Sequence, residues 1–332
     1  MACACCLDPG APMTTAHPER SSVVLFALAT LAAGAGAAVQ AKANGALATR
    51  LGAPVEAALW SFGSGWLVLA LGLALLPAAR RALADVARAV RRQNLQWWEV
   101  LGGLFGGFFV AVQSFAVPQM GVALFTIAMV GGQTANALLV DRIGLGPAGR
   151  TPLSMPRVLA ALATFVGVAV ASSARGGTVH ALSLTALLLT VAAGAGMSIQ
   201  QAINGKVNLA SGHVVATTFV NFTWGFAALC GYALALFSAG RLHSPRTLDV
   251  PWWSLVGGVI GVVYIAIAAA AVRHLGVLVT ALMSLTGQLV AAVLLDVVTH
   301  AAPVTAQLLA GVAITLTAAA AAGLAAQRGT RG

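Results

Sequence analysis

The stretch Gly132-Gln133-Thr134-Ala135-Asn136-Ala137-Leu138-Leu139-Val140-Asp141 returns in outline as Gly287-Gln288-Leu289-Val290-Ala291-Ala292-Val293-Leu294-Leu295-Asp296, 155 positions later. Each copy lies in an apolar run long enough to cross a bilayer, with a glycine and an amide near its middle and a carboxylate at its end. Two such segments in register indicate an internal duplication.

Other parts of the chain repeat in the same order. The offset between copies is 160 positions before an arginine-rich linker and 155 positions after it. The earlier pairs are Gly36 with Gly196, Gln40 with Gln200, Asn44 with Asn204, Gly52 with Gly212, and Phe62 with Phe222. The later pairs are Trp97 with Trp252, Trp98 with Trp253, Gly102 with Gly257, Gly106 with Gly261, and Gly121 with Gly276. A constant offset on each side of one linker is what a duplication leaves behind.

The composition is that of a membrane protein. Charged residues make up 8% of the chain, against roughly 25% in soluble domains. Hydrophobic residues make up 59%, and the mean hydropathy is +0.92. Gly, Pro and charged residues divide the chain into about ten apolar runs that could span a bilayer. We place them at 22–41, 54–77, 97–117, 121–141, 156–174, 181–204, 213–238, 252–272, 276–298 and 303–326.

Five spans in each copy is an odd number, so the second copy must enter the membrane from the opposite side. We therefore predict an all-α membrane protein with two inverted five-helix repeats, at residues 21–177 and 178–327. This is a common plan among secondary transporters, which bind their substrate near the midplane between the repeats. Residues 1–20 are expected to form a disordered cytoplasmic tail, and residues 328–332 a second cytoplasmic tail.

The basic residues indicate the orientation. The net charge is +10, but 13 of the 18 Lys and Arg fall on one side of the predicted spans. The positive-inside rule then places both termini in the cytoplasm, and it explains the charge without a nucleic-acid partner.

No catalytic or cofactor-binding pattern is apparent. Cys3, Cys5 and Cys6 lack a histidine at metal-binding spacing, and Met13 is an alternative start. No nucleophile and base pair or nucleotide-binding loop is present, so we expect neither an enzyme nor a cofactor or metal site.

The residues also match a known family. The patterns Gln200-Gln201-Ala202-Ile203-Asn204-Gly205, Asn221-Phe222-Thr223-Trp224-Gly225 and Trp252-Trp253, with Gly287-Gln288 through Asp296, resemble the YdcZ-like proteins of the drug/metabolite transporter superfamily. The first half carries the same pattern, so the chain resembles two five-span units fused. The resemblance implies a ten-span transporter of the bacterial inner membrane, and it favours export over uptake. The membrane glutamate of the small multidrug exporters in this superfamily is missing from spans one and six.

Four amides lie on two predicted helix faces. Gln40 and Asn44 follow Gly36 at a spacing of four, as Gln200 and Asn204 follow Gly196, so each set drifts by only about 40° per step around its helix. Unpaired amides are costly in hydrocarbon, so these faces should meet protein or water. Two readings remain: bonds that hold helices together, or the lining of a substrate cavity.

Gln133 and Gln288 are the deepest candidates, about eight residues and roughly 12 Å from the terminal Asp of each copy. With Asn136, they are predicted substrate contacts, or amides that pair the two repeats. Gly132 and Gly287 beside them would allow close helix packing. Trp224 and Tyr264 are predicted to supply aromatic walls.

Asp141 and Asp296 lie at helix C-termini, where the helix dipole disfavours an anion. We hypothesise two alternating gates, in which Asp141 pairs with Lys206 on the cytoplasmic side and Asp296 pairs with Lys42 on the other. The alternative is that each Asp anchors a helix end at the interface.

The sequence thus predicts a secondary carrier for a small organic solute, a metabolite or a drug-like compound, embedded in the lipid bilayer as a monomer or homodimer. The alternative is a flippase for lipid-linked carriers, or an accessory membrane scaffold.

Overall fold

A computed structural model describes residues 20–147, 149–173, 181–242, 245–247, 249–300 and 302–329. The N-terminal tail with its cysteine cluster, the boundary between the repeats at 177/178 and the last three residues lie outside this range. The described residues form helices and contain no strand. The helices are α1 Arg20–Leu51, α2 Pro54–Leu75, α3 Pro77–Arg91, α4 Gly103–Ile143, α5 Met155–Ser173, α6 Ala181–Ser211, α7 Val214–Ser238, α8 Gly257–Thr299 and α9 Ala306–Gly329.

Helices α4 and α8 are each a hairpin of two spans. The chain breaks helical geometry at Gly121, with φ 77°, and at Gly276, with φ 76°, conformations that favour glycine. The rings of Phe109 and Phe125 are 5.9 Å apart, although a straight helix would separate them by about 24 Å. In α8, the Tyr264 hydroxyl lies 3.1 Å from that of Ser284. Helix α4 therefore reverses its direction at Gly121, and helix α8 reverses at Gly276.

With the two hairpins counted as two spans each, the predicted ten spans and the all-α fold are confirmed. Within the described ranges, eight helical segments are long and apolar enough to cross a membrane, and one of them, Trp97–Ile143, contains both arms of the α4 hairpin. The first arm of the α8 hairpin is the shorter apolar helix Gly257–Ala268. We call the tips of the two hairpins the Gly121 end and the Gly276 end of the molecule.

Two boundaries differ from the prediction. Helices α1 and α6 run about seven to ten residues past the predicted ends of their spans, to Leu51 and Ser211. Gly52 and Gly212, with φ of 65° and 62°, follow them at the points where the helices stop. The linker predicted as an arginine-rich loop contains helix α3. Pro77 starts it, and Ala79, Ala82 and Val86 supply a buried face at helical spacing.

The first helix of each repeat packs inside the hairpin of the other repeat. On α1, Gly34 lies against Ser284 in the second arm of α8, and Gly36 lies against Ile260 in the first arm. On α6, Gly194 lies against Met129 and Gly196 against Phe105, in the two arms of α4.

These packings leave no room for side chains. A Cβ added to Gly132 would lie 1.9 Å from the carbonyl oxygen of Val191, and one added to Gly287 would lie 2.1 Å from that of Leu31. Small residues allow such approach between helices in lipid, where close packing is the main source of association.

The second and fifth spans of each repeat pack against their own counterparts across the pseudo-two-fold axis. Helix α2 packs against α7, and α5 packs against α9. The rings of Phe62 and Phe222, which are equivalent in the duplication, are 4.8 Å apart. At the other contact, a Cβ on Gly311 would lie 2.5 Å from the carbonyl oxygen of Gly167.

We predict that Gly132→Val destabilises the protein by about 1–3 kcal/mol or more, since the added methyl groups must force α4 away from α6. Gly231→Val in α7 is the matched control, because a Cβ there meets nothing within 4 Å. Thermal unfolding of the detergent-purified variants measures both. Equal melting temperatures for the two variants would contradict the close packing.

Candidate functional site

The carboxylate of Asp296 caps the second arm of the α4 hairpin. Its side chain is 1% exposed. Oδ1 accepts a hydrogen bond from the backbone N–H of Val122, and Oδ2 accepts one from that of Ala123, both at 2.9 Å. These are the first amides after the break at Gly121, where a helix start leaves unpaired donors and the positive end of its dipole. A carboxylate near the end of α8, in the second repeat, therefore holds the hairpin tip of α4, in the first.

The equivalent carboxylate, Asp141, makes a different contact. Its side chain is 35% exposed and forms an ion pair with Arg157 at the start of α5. The amides equivalent to those of Val122 and Ala123 belong to Val277 and Leu278, after Gly276. A Cβ on Gly276 would meet nothing within 4 Å, whereas one on Gly121 would lie 2.8 Å from Asp296 Oδ2. The two hairpin tips are thus in different environments.

The same asymmetry extends along the hairpins. Every residue from Met120 to Gly132 is buried. In the equivalent stretch, 275–287, the buried residues among those described are Thr280, Ser284 and Gly287. Equivalent stretches of the two repeats therefore differ: the stretch at the Gly121 end is sealed by protein, and the stretch at the Gly276 end is open.

Helix α1 provides the seal. Gly45 packs against Val117 of α4, Ala41 is fully buried, and Asn44 Nδ2 donates to Gln113 Oε1 at 2.7 Å. No comparable packing joins α6 to α8 in the described residues. The counterpart of Ala41 is Gln201, and it is exposed. From this difference we infer a cleft between α6 and α8 at the Gly276 end.

Polar side chains line the α6 side of this cleft. Gln133 Nε2 donates to Gln201 Oε1 at 3.0 Å, and both amides remain accessible. Asn136 Nδ2 donates at 2.9 Å to both the carbonyl oxygen of Ala195 and the hydroxyl of Ser198. Of the sequence candidates, Gln133 and Asn136 thus lie together, and Gln201 joins them.

The other predicted amides lie deeper, over glycines of the hairpins. Gln200 and Asn204 both donate to Asn221 Oδ1, at 2.8 and 3.1 Å. A Cβ on Gly106 would meet Gln200 at 2.5 Å, and one on Gly257 would meet Asn44 at 2.2 Å. Asn44 Oδ1 and Gln200 Oε1 are buried and accept no hydrogen bond from the described part of the chain. These amides therefore bond helix to helix and still carry spare acceptors.

The candidates that lie along α8 are less closely grouped. Gln288 is half-buried beside Gly287, and a Cβ on Gly261 would lie 3.3 Å from the side-chain amide of Gln40. The hydroxyl of Tyr264 bonds Ser284, so it joins the two arms of its own hairpin.

A profile described as "Putative inner membrane exporter, YdcZ" matches residues 25–170 and again residues 185–328. The chain belongs to the YdcZ family. The two matches cover the two repeats, so the inferred fusion of two five-span units is confirmed.

The fold of this YdcZ-family chain also has a solved counterpart. A structure titled "Crystal structure of protein" matches with a TM-score of 0.58 and 20% sequence identity, over 93% of this chain and 99% of the other. At that identity the likeness concerns the fold alone. No curated protein gives a significant match.

The ion pairs differ from those hypothesised. Lys206 Nζ binds Glu99 Oε1 at 2.6 Å, so Asp141 and Lys206 do not pair. Lys42 is half-buried and forms no ion pair with the described residues. The two lysines are not equivalent in the duplication, since Ala202 and Ala46 occupy the corresponding positions. Glu99 was overlooked in the sequence, although it forms a capping box with Gln96 directly after the Trp pair.

The aromatic residues differ in their exposure and in their contacts. Trp224 is 40% exposed on α7. Trp66 donates from Nε1 to Thr223 Oγ1 at 3.0 Å and lies beside Phe219 and Phe226, so it belongs to the contact between α2 and α7.

We predict that Asp296→Ala costs about 2–3 kcal/mol of unfolding free energy, because two buried amides lose a charged acceptor. The matched variant Asp141→Ala removes a partly exposed ion pair and should cost about 0–1 kcal/mol. Thermal unfolding in detergent compares the two. An equal loss for both variants would show that the cap does not distinguish the two ends.

Proposed function

We propose that the protein is a secondary transporter that moves a small organic solute by alternating access between its inverted repeats. One observation carries the proposal: equivalent stretches of the two repeats are sealed at the Gly121 end and open at the Gly276 end. A duplicated molecule has two such arrangements of nearly equal contacts, related by exchange of the repeats. A population shift between them would expose the same cleft to each side of the membrane in turn.

The open side follows, in this proposal, from the orientation that the positive-inside rule predicts. With both termini in the cytoplasm, the Gly276 end faces the cytoplasm and the Gly121 end faces outward. The arrangement described would then be the inward-open one. The moving bodies would be α1 with the α8 hairpin and α6 with the α4 hairpin, since each pair is interlocked through glycine contacts.

The gate carboxylates act, in this proposal, on backbone amides rather than on lysines. When the cytoplasmic side closes, Asp141 leaves Arg157 and caps the amides of Val277 and Leu278, as Asp296 caps those of Val122 and Ala123 now. Asp296 is released at the same time. Each carboxylate thereby stabilises one of the two closed ends.

The polar side chains of the cleft support the proposal that the substrate is an organic solute. Gln133, Gln201 and Asn136 provide amides that both donate and accept hydrogen bonds, and no ionisable side chain joins the hydrogen bonds that these three make. The family description names an exporter, which favours outward movement of the solute.

Cysteine accessibility tests the gate. In detergent-solubilised protein without the native cysteines, where both ends are accessible to reagent, Gln201→Cys should react with a water-soluble maleimide, and its counterpart Ala41→Cys should not. Adding Asp296→Ala removes the cap on the outer end, so labelling of Ala41→Cys should rise several-fold. Adding Asp141→Ala is the matched control and should leave labelling of Ala41→Cys unchanged or lower. If neither carboxylate alters labelling, the gate assignment fails.

A thermal-stability screen tests the substrate site. We would test amino acids, nucleosides, organic cations, sugars and lipid-linked precursors on wild type and on Gln133→Ala, with Gly231→Ala as the folding control. A ligand at 100 times its dissociation constant should stabilise the folded protein by about 2.7 kcal/mol. A soluble ligand whose effect disappears in Gln133→Ala but not in Gly231→Ala supports the carrier. Stabilisation by lipid-linked precursors alone would favour a flippase instead.

A further inference from the structure

We propose that helix α3 binds the phosphate headgroups of anionic phospholipids in the leaflet at the Gly276 end, through its arginine face. The helix is amphipathic along its length. Arg80, Arg81, Arg88 and Arg91 are exposed on one side, and Arg92 follows at the C-cap. The buried residues of α3 lie on the opposite side of the helix.

Protein already covers the apolar face. Val86 packs in one buried cluster with Leu95 and Val207, and α3 as a whole lies against α6 and α7. The helix is therefore fixed to the bundle and does not need to insert its apolar side into lipid. Its arginines consequently point away from the bundle.

The charge of the exposed face is not balanced by the residues that the structure describes. Five arginines share one carboxylate, Asp85, and that carboxylate pairs with Arg88. Arg80 Nη1 donates to the carbonyl oxygen of Ala74, at the end of α2. Arg81, Arg91 and Arg92 enter no ion pair with the described residues. An anion from outside the protein is the natural complement, and guanidinium groups bind phosphate in a bidentate manner.

The depth of the helix in the membrane identifies the anion. Trp97 and Trp98 follow α3 directly and are 68% and 39% exposed, as expected of side chains at the headgroup level. Leu95 belongs to the cluster that holds Val86, and Glu99 binds Lys206 on α6. These contacts hold α3 at the same level as the Trp pair. Phospholipid headgroups are the anions found at that depth.

The feature is confined to the first repeat. In the equivalent linker of the second repeat, the described residues between Ser238 and Trp252 form no helix. The lipid site would thus mark one leaflet, and it would sit beside α6, which lines the open cleft.

The test compares two charge-matched double variants in detergent micelles. Arg81→Gln with Arg91→Gln removes two charges from α3, and Arg50→Gln with Arg241→Gln removes two exposed charges at the opposite end of the molecule. Phosphatidylglycerol, phosphatidylcholine and soluble glycerol phosphate are each titrated in turn. The readouts are the melting temperature and the lipid retained in native mass spectrometry.

Wild type should be stabilised by phosphatidylglycerol and not by phosphatidylcholine, and the effect should fade as salt is raised. The α3 variant should bind phosphatidylglycerol about 10–30-fold more weakly, while the control variant keeps wild-type binding. Equal loss in both variants, no preference for phosphatidylglycerol, or an equal effect of glycerol phosphate would each overturn the proposal. None of these readouts depends on transport.

Discussion

The contact on which the structure depends is the approach of helix backbones at glycine. In lipid there is no hydrophobic force to drive helices together, so association rests on van der Waals packing over closely fitting surfaces. Gly132 on α4 and Gly287 on α8 each lie against a backbone carbonyl of the first helix of the other repeat. Because every hairpin encloses a helix from the opposite repeat, neither repeat forms a closed bundle by itself.

The interlocking also decides where the molecule can move. The glycine contacts within each interlocked pair are too tight to slide, whereas the contacts between the pairs are made at one end and missing at the other. The buried cap of Asp296 on Val122 and Ala123 lies between the pairs, at the closed end. Polar and electrostatic contacts of this kind can exchange partners, which close-packed glycine surfaces cannot do.

The features that could be predicted from the sequence are those that occur in both repeats. The ten spans, the all-α class and the fused repeats follow from paired glycines, tryptophans and amides at constant offsets. The partners of the charged residues could not be predicted from the sequence, because equivalent residues of the two repeats have different neighbours in the structure. Asp296 and Asp141 share a register, yet one caps a helix and the other meets Arg157. Glu99 and Lys206 have no counterparts in the other repeat, so the repeat pattern could not reveal their pair.

Helix α3 was missed for a different reason. The positive-inside rule explains the charge of its arginines but says nothing of their conformation. The apolar spacing of Ala79, Ala82 and Val86 after Pro77 was the available signal.

The interlocked hairpins have a consequence for biosynthesis. Helix α1 is made first, but the hairpin that encloses it, α8, leaves the ribosome more than 200 residues later. The α4 hairpin likewise waits for α6. The early spans must therefore be inserted and held in the bilayer with their glycine surfaces facing lipid, and native packing begins only when the second repeat arrives. Membrane insertion and folding are separated in time by the way in which the repeats exchange helices.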